Sequence, residues 1–289
     1  MSLSDLEQIP SYEWPDSAGA EIVRVITDRT AHADDRLLAA YLAQEYPGIN
    51  DLMMVALSGV AANKAESPEL RSSAAIALGP AFELADLDGL AQDLDDDGLP
   101  CTPEAVHGAK AALRAVFDDK SAPDEVRRSC LETLAHAPQD WHAAAVRAAY
   151  AEGSNDWKLS ALFCMRFIGG FDTEILGALT STDEHQRLEA IGAAGEQELQ
   201  MAWPHVQAIL KDRQADKLFV LAALGALPML APSPELVTAI LELHLASADP
   251  AIVEAATEVR DMLADVEGED DDWADDEDSA GPAGSNRRH

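Results

Sequence analysis

The sequence predicts an all-α chain built as an array of stacked helical hairpins, and three observations carry that prediction. First, six cations (Arg36, Arg71, Arg127, Lys158, Arg187 and Lys217) recur at intervals of 35, 56, 31, 29 and 30 residues. Second, a small or compact side chain follows three residues after each (Ala39, Ala74, Cys130, Ala161, Ala190, Val220), and an apolar one four after (Ala40, Ala75, Leu131, Leu162, Ile191, Leu221). A degenerate seventh copy starts at Val253, with Ala256 in the small-residue column. Third, hydrophobic content is 47% with only 5% aromatic, much of it alanine, which suits helices that approach one another closely. Self-similarity at a fixed period marks repeat units that bury one another's faces.

Each unit reads as an A helix followed by a B helix that carries the cation. Residues 1–17 form a lead-in. The first pair is Ala18–Thr30 with Asp34–Glu45, and the second Asn50–Asn63 with Ser67–Ala81. Ser67 followed by Pro68 is a cap with proline at the first helical position, where its missing N–H costs nothing; Gly79 and Pro80 predict the end of that helix. The rhythm then breaks. Residues 83–103 hold seven acids and few helix-sustaining apolar groups, which predicts an acidic loop insertion. Thr102 and Pro103 restart a helix over Ala105–Phe117, and Asp124 caps the third B helix. Pairs four to seven follow on short turns: Trp141–Glu152 with Asn155–Ile168, Thr173–Leu179 with Asp183–Ala194, Pro204–Leu210 with Asp216–Gly225, and Pro234–Ala246 with Asp249–Asp265. Residues 267–289 are too acidic and apolar-poor to bury themselves, which predicts a disordered tail.

With the cation at position zero and 100° per residue, positions 0, +3, +4 and +7 fall on one apolar stripe. A cation on the border of that stripe needs a fixed acceptor. Acids in the turns before the B helices (Asp34, Asp124, Asp156, Asp183) are the candidates.

The segments SPELRSSAAIALG (67–79), DEVRRSCLETLA (124–135), TDEHQRLEAIGAAG (182–195) and ADKLFVLAALG (215–225) resemble second helices of HEAT repeats. They share an acid in the turn, Val-Arg or its equivalent, then alanines and a closing Leu-Gly. The resemblance covers the chain from 18 to 266. It implies a right-handed α-α superhelix, a HEAT-like solenoid of about seven hairpins, in which a charged ladder through the six cations ties successive repeats together. Departures are the acidic insertion, Trp157 where a smaller apolar residue is usual, and Arg166 where Gly closes other repeats.

A formal charge of −33, from 53 acids and 20 bases, argues against nucleic acid and anionic membranes, whose binding depends on Lys and Arg neutralising phosphate. Such a surface steers a basic protein, or simply keeps the chain soluble. No leader-like segment or membrane-length apolar run is present, so a cytoplasmic protein is expected. Three cysteines (Cys101, Cys130, Cys164) with no paired spacing offer neither a disulfide framework nor a zinc motif.

In a solenoid of the resembled kind the B helices line the concave side, where positions +2 and +5 point away from the buried stripe. Tyr41, Ile76, Phe163 and Phe219, with Glu132 and Glu189, are the inner-surface candidates for a partner groove; burial by side-to-side helix contact is the competing account. Asp93, Asp95, Asp97, Gly98 and Glu104 match the D-x-D-x-D-G calcium loop. Pro100 and the lack of a paired loop argue against it, and no metal or other cofactor is expected. Catalytic patterns are missing: the eight histidines are scattered, and Trp141-His142 and Trp203-Pro204-His205 read as hydrophobic staples at A-helix starts. The expectation is a non-catalytic scaffold or adaptor binding a protein partner. The alternative is a lyase, or chaperone-like assistant, of the HEAT-like family, some of whose members assist chromophore attachment.

Overall fold

The structure, a computed structural model, describes residues 2–46, 48–90 and 101–274, with the backbone alone for 87–90, 152 and 265–274. Among the described residues every regular element is helical. The chain divides into two compact units, Met1–Phe171 and Asp172–His289.

In the first unit, the short α1 (Leu3–Leu6) buries Leu3 and Leu6 against α2 (Ala18–Thr27) and α3 (Ala33–Glu45), so the lead-in is tied to the first hairpin. Trp14 helps hold it, donating Nε1–H to the carbonyls of Leu6 (3.0 Å) and Ile9 (3.1 Å). Then come α4 (Asp51–Ala62), α5 (Pro68–Ile76), α6 (Gly79–Leu90), α7 (Pro103–Asp118), α8 (Asp124–Ala135), α9 (His142–Glu152) and α10 (Asn155–Cys164). The A helices α2, α4 and α7 pack in one row, and the B helices α3, α5, α8 and α10 in another.

The second unit continues the hairpin order. Its hairpins are α11 (Asp172–Ala178) with α12 (Glu184–Glu196), α13 (Trp203–Lys211) with α14 (Lys217–Leu230), and α15 (Pro234–Leu245) with α16 (Pro250–Ala274). Here α12 packs on α14, and α14 on α16.

Starts and stops follow local chemistry. The side chains of Asn50, Ser67, Thr102, Asp183 and Ser233 accept the third backbone N–H of the helices they precede. The A helices α2, α4, α7 and α13 all end at an Asx residue in extended conformation: Asp28, Asn63, Asp119 and Asp212. Each side-chain oxygen accepts the N–H two residues on, from Thr30, Ala65, Ser121 and Gln214, at 2.8–3.1 Å. This Asx turn swings the chain out of one helix toward the next.

Three helices depart from the sequence expectation. Gly79 and Pro80 begin α6 instead of ending the array's second B helix, because the break falls at Ala77 and Leu78 and the fully buried Phe82 anchors a new helix. The expected acidic loop is therefore helical from Glu83 to Leu90. Helix α14 runs through Gly225 and Pro228 to Leu230, since burial of Ala226, Leu227 and Leu230 outweighs the propensity cost of both breakers. Helix α16 continues past Val266 to Ala274, with no proline to interrupt it. Among the described residues no helix is long and apolar enough to cross a membrane.

Candidate functional site

The six recurring cations do not share one arrangement. Arg36 Nε and Nη2 donate to the Ile26 carbonyl at the end of its own A helix (3.0 and 2.8 Å), while Nη1 and Nη2 grip Glu66 (2.6 and 3.0 Å) in the turn before the next B helix. Arg71 Nε donates to Ala61 O (2.9 Å) and Arg127 Nε to Phe117 O (3.0 Å), each again ten residues back. A guanidinium thus caps the C-terminal carbonyls of the preceding helix, where cations are favoured. Arg187 reaches only six residues back, to Ser181 O (2.8 Å), because α11 is short. Lys217 pairs with Asp249 (2.9 Å) in the turn before α16, and half-buried Lys158 makes no ion pair among the described residues. Arg127 pairs within its own helix, with Asp124, and its neighbour Arg128 reaches Asp156 of the next repeat (3.7 Å). The backbone carbonyl is the acceptor that a reading of side chains missed; the ten-residue offset shared by Arg36, Arg71 and Arg127 to the end of their A helices was its signal.

Of the inner-surface candidates, the first unit holds Tyr41 (53% exposed), Ile76 (40% exposed), half-buried Glu132 and half-buried Phe163. Phe163 packs on His136 (5.9 Å between centroids) and Phe167 (5.5 Å), with Arg166 over its ring. In the second unit Glu189 is half-buried, and Phe219 lies 4.9 Å beneath the Arg187 guanidinium. Both phenylalanines are therefore engaged within the fold. Asp93, Asp95 and Asp97 lie outside the described residues, and Glu104 is exposed at the start of α7. Among the described residues no three His, Cys, Asp or Glu cluster as metal ligands. Burial pushes the Cys130 thiol up to about 12 against the pull of Arg71, and pushes Cys164 well above its ordinary value with Glu132 adding to the effect. Both are held as thiols, the unreactive form.

Three of the concavities lined by described residues bear on the site. One of about 710 Å³ between α14, α15 and α16 is walled by Pro228, Pro232, Val237, Leu241 and Leu263; Arg260 at its edge is paired with Asp261. One of about 580 Å³ between α12, α13 and α14 collects Glu184, Arg187, His205, Asp212, Asp216 and Phe219. Its polar groups are largely committed: Arg187 to Ser181 and Glu184, Asp212 and Asp216 to backbone N–H groups.

The third, about 480 Å³ between α7, α8, α9 and α10, differs in kind. Phe117 and Trp157 form its walls, edge to face at 6.4 Å. Arg127 lies over Trp157 (5.0 Å) and Lys120 over Phe117 (5.4 Å). Ala145, Ala148, Ala149 and Gly153 make a floor of small residues. Gly153 leaves room for the side chain that builds this wall: a Cβ there would collide with Trp157 Cβ and Ala149 O. Arg127 is held by Phe117 O and Asp124, whereas exposed Lys120 has no acid paired with it among the described residues. Trp157, the residue that departs from its repeat column, was the legible sign of this pocket.

No family model matches the sequence, and no curated protein matches it. Among solved structures, human deoxyhypusine hydroxylase in complex with glycerol is similar, with a TM-score of 0.38 and 17% identity over 90% of this chain and 88% of that one. The expected non-catalytic adaptor is corrected on this finding: the similar solved structure is that of an enzyme. A likeness of that score transfers neither residues nor activity.

Proposed function

We propose that this chain is a small-molecule-binding protein of the HEAT-like lyase or chaperone-assistant type, and that the pocket between α7 and α10 receives a planar organic anion. Two supports bear on the HEAT-like assignment: helices packed in two rows in the first unit, and an arginine returning ten residues to its own A helix in three hairpins. The single observation behind the ligand class is a pair of aromatic walls flanked by two cations in a chain of net charge −33. Aromatic faces stack a flat ligand, the alanine floor leaves room for it, and the unpaired Lys120 ammonium selects a negative substituent. Among the described residues the lining is aromatic, small and cationic, a set that holds and presents a ligand. A chromophore with carboxylate side chains falls within that class.

The test is binding of naphthalene-2-carboxylate and its neutral amide to the full chain, followed by calorimetry and tryptophan quenching. Stacking on one aromatic side chain contributes about 1–3 kcal/mol, so Trp157→Ala should weaken the carboxylate by about 5- to 160-fold. The amide should bind more weakly than the carboxylate, and Lys120→Met should remove that preference. Equal binding of acid and amide, or indifference to Trp157→Ala, overturns the reading.

A further inference from the structure

The turns between A and B helices of the first unit form a ladder of their own, and the aromatic pocket lies where that ladder loses a rung. In the first three hairpins the turn spans five residues: 28–32, 63–67 and 119–123. Each opens on an extended Asp or Asn whose side chain accepts the N–H two residues on. The residue enclosed by that bond is a cation in all three: Arg29, Lys64 and Lys120. The first two reach forward to an acid in the turn of the next hairpin. Arg29 Nε lies 3.8 Å from Glu66, and Lys64 Nζ lies 2.6 Å from Asp119. Lys120 comes next, and the fourth turn differs. It is only two residues long, 153–154, and neither Gly153 nor Ser154 is an acid. Gly153 holds the extended position that Asp28, Asn63 and Asp119 take in the others, but a Cβ there would collide with Ala149 O and Trp157 Cβ. Lys120 and Gly153 line the same cavity, and among the described residues Lys120 has no acid paired with it.

We infer that the ligand of this pocket supplies the missing rung: its carboxylate pairs with Lys120 Nζ as the Asp119 carboxylate pairs with Lys64 Nζ, while its ring stacks between the third and fourth hairpins. The inference rests on the reading of the pocket proposed above, and narrows its ligand to an aromatic carboxylate held at one point charge. The other cation of the lining does not offer that charge, because Arg127 is neutralised by Asp124 and bonded to the Phe117 carbonyl. The backbone that carries Lys120 is fixed from both sides. Asp119 Oδ2 pairs with Lys64 of the preceding hairpin, and Asp119 Oδ1 accepts the Ser121 N–H (2.9 Å) and hydroxyl (2.6 Å). The rung below thus sets the turn from which the Lys120 ammonium reaches. Phe117 on α7 and Trp157 on α10 belong to different hairpins, so a ring between them with its carboxylate on Lys120 ties the two together. An exposed ion pair contributes a preference of at most about 5-fold, so the rings supply the affinity and the rung supplies the selection.

The test gives the fourth turn an acid of its own. Ser154 precedes α10 without a side-chain capping bond, and aspartate is an equally good cap, so Ser154→Asp leaves the helix start intact. Calorimetry of the full chain compares naphthalene-2-carboxylate with its amide. The acid should bind up to about 5-fold tighter than the amide in wild type and in Ser154→Asn. The two should bind equally in Ser154→Asp, with the amide unchanged throughout. An acid preference that survives in Ser154→Asp, or an equal loss of both compounds there, overturns the inference and leaves the aromatic pocket standing. Failure of both compounds to bind the wild-type chain overturns the two together. Hydrogen exchange of the wild-type chain needs no variant: saturating acid should slow exchange over 119–123 several-fold more than saturating amide. Equal protection by the two compounds refutes the missing rung.

Discussion

Replacing Arg36 by methionine tests the rung that joins the first two hairpins. Arg36 is 7% exposed and makes four short bonds: two to the Ile26 carbonyl and two to Glu66. Methionine keeps most of the aliphatic volume but leaves the Ile26 carbonyl short of donors and the Glu66 carboxylate, 10% exposed, without its main partner. Removing one member of a buried ion pair costs about 3–5 kcal/mol. Asn63 Nδ2 (3.1 Å) and the exposed Arg29 (3.8 Å) still face Glu66, so the lower end of that range is expected. Arg71→Met is the control: Arg71 is as buried, at 4%, but bonds a single carbonyl and no acid, so its loss should cost about 1.5–2 kcal/mol. The assay is urea unfolding by circular dichroism, fitted with separate transitions for the two compact units, and only the transition of Met1–Phe171 should move. Arg36→Met with Glu66→Met should recover part of the loss, because two apolar groups leave no stranded charge. A cost below about 1 kcal/mol for Arg36→Met, or a double variant no better than the single one, refutes the reasoning.

Three further outcomes follow from the same geometry. Hydrogen bonds from Arg36 hold the Glu66 carboxyl below its usual range, so its stabilising contribution is full above the unfolded value near about 4.3 and is lost as pH falls through the lower folded value. Urea midpoints measured at micromolar protein should therefore fall on acidification below about pH 5 less steeply in Glu66→Gln than in wild type, and parallel slopes would contradict this. Gly195→Ala places a Cβ 3.0 Å from Ala226 Cβ and 3.2 Å from its Cα where α12 meets α14, so overpacking of about 1–3 kcal/mol offsets or exceeds the helical gain of about 1. Gly225→Ala, with open space around it, should instead stabilise by up to about 1 kcal/mol, and thermal melts giving both variants the same stabilisation would count against the close approach. Finally, Cys101, Cys130 and Cys164 are all buried, so a disulfide-exchange thiol reagent at pH 8 should react only at the rate of unfolding, and a fast native burst would show an accessible thiolate.

Most of the helical framework was legible because it is local. Ser67-Pro68, Thr102-Pro103 and Ser233-Pro234 each combine a cap with a proline whose missing N–H is harmless, and the helices begin there. Gly79-Pro80 and Gly225 misled for the opposite reason. Their local preference is to stop a helix, but buried Phe82 favours starting a new helix at Gly79, and buried Leu227 and Leu230 favour continuing one through Gly225; burial is a tertiary quantity. The cation column was visible, but its chief acceptor was not, since a backbone carbonyl has the same identity at every residue. Only the distance along the chain from Arg36, Arg71 or Arg127 to the end of its A helix distinguishes that carbonyl from any other. The candidate site follows the same logic. A helical wheel places Phe163 and Phe219 opposite the buried stripe, and in the fold each is half-buried, with His136 against one ring and Arg187 over the other. Trp157 carried the better signal: a bulky ring in a column of smaller residues, with room left for it by Gly153 four residues earlier. A residue that breaks its own repeat is free of the constraint that shaped the others, and here that residue builds the wall of a pocket with the Lys120 ammonium at its mouth.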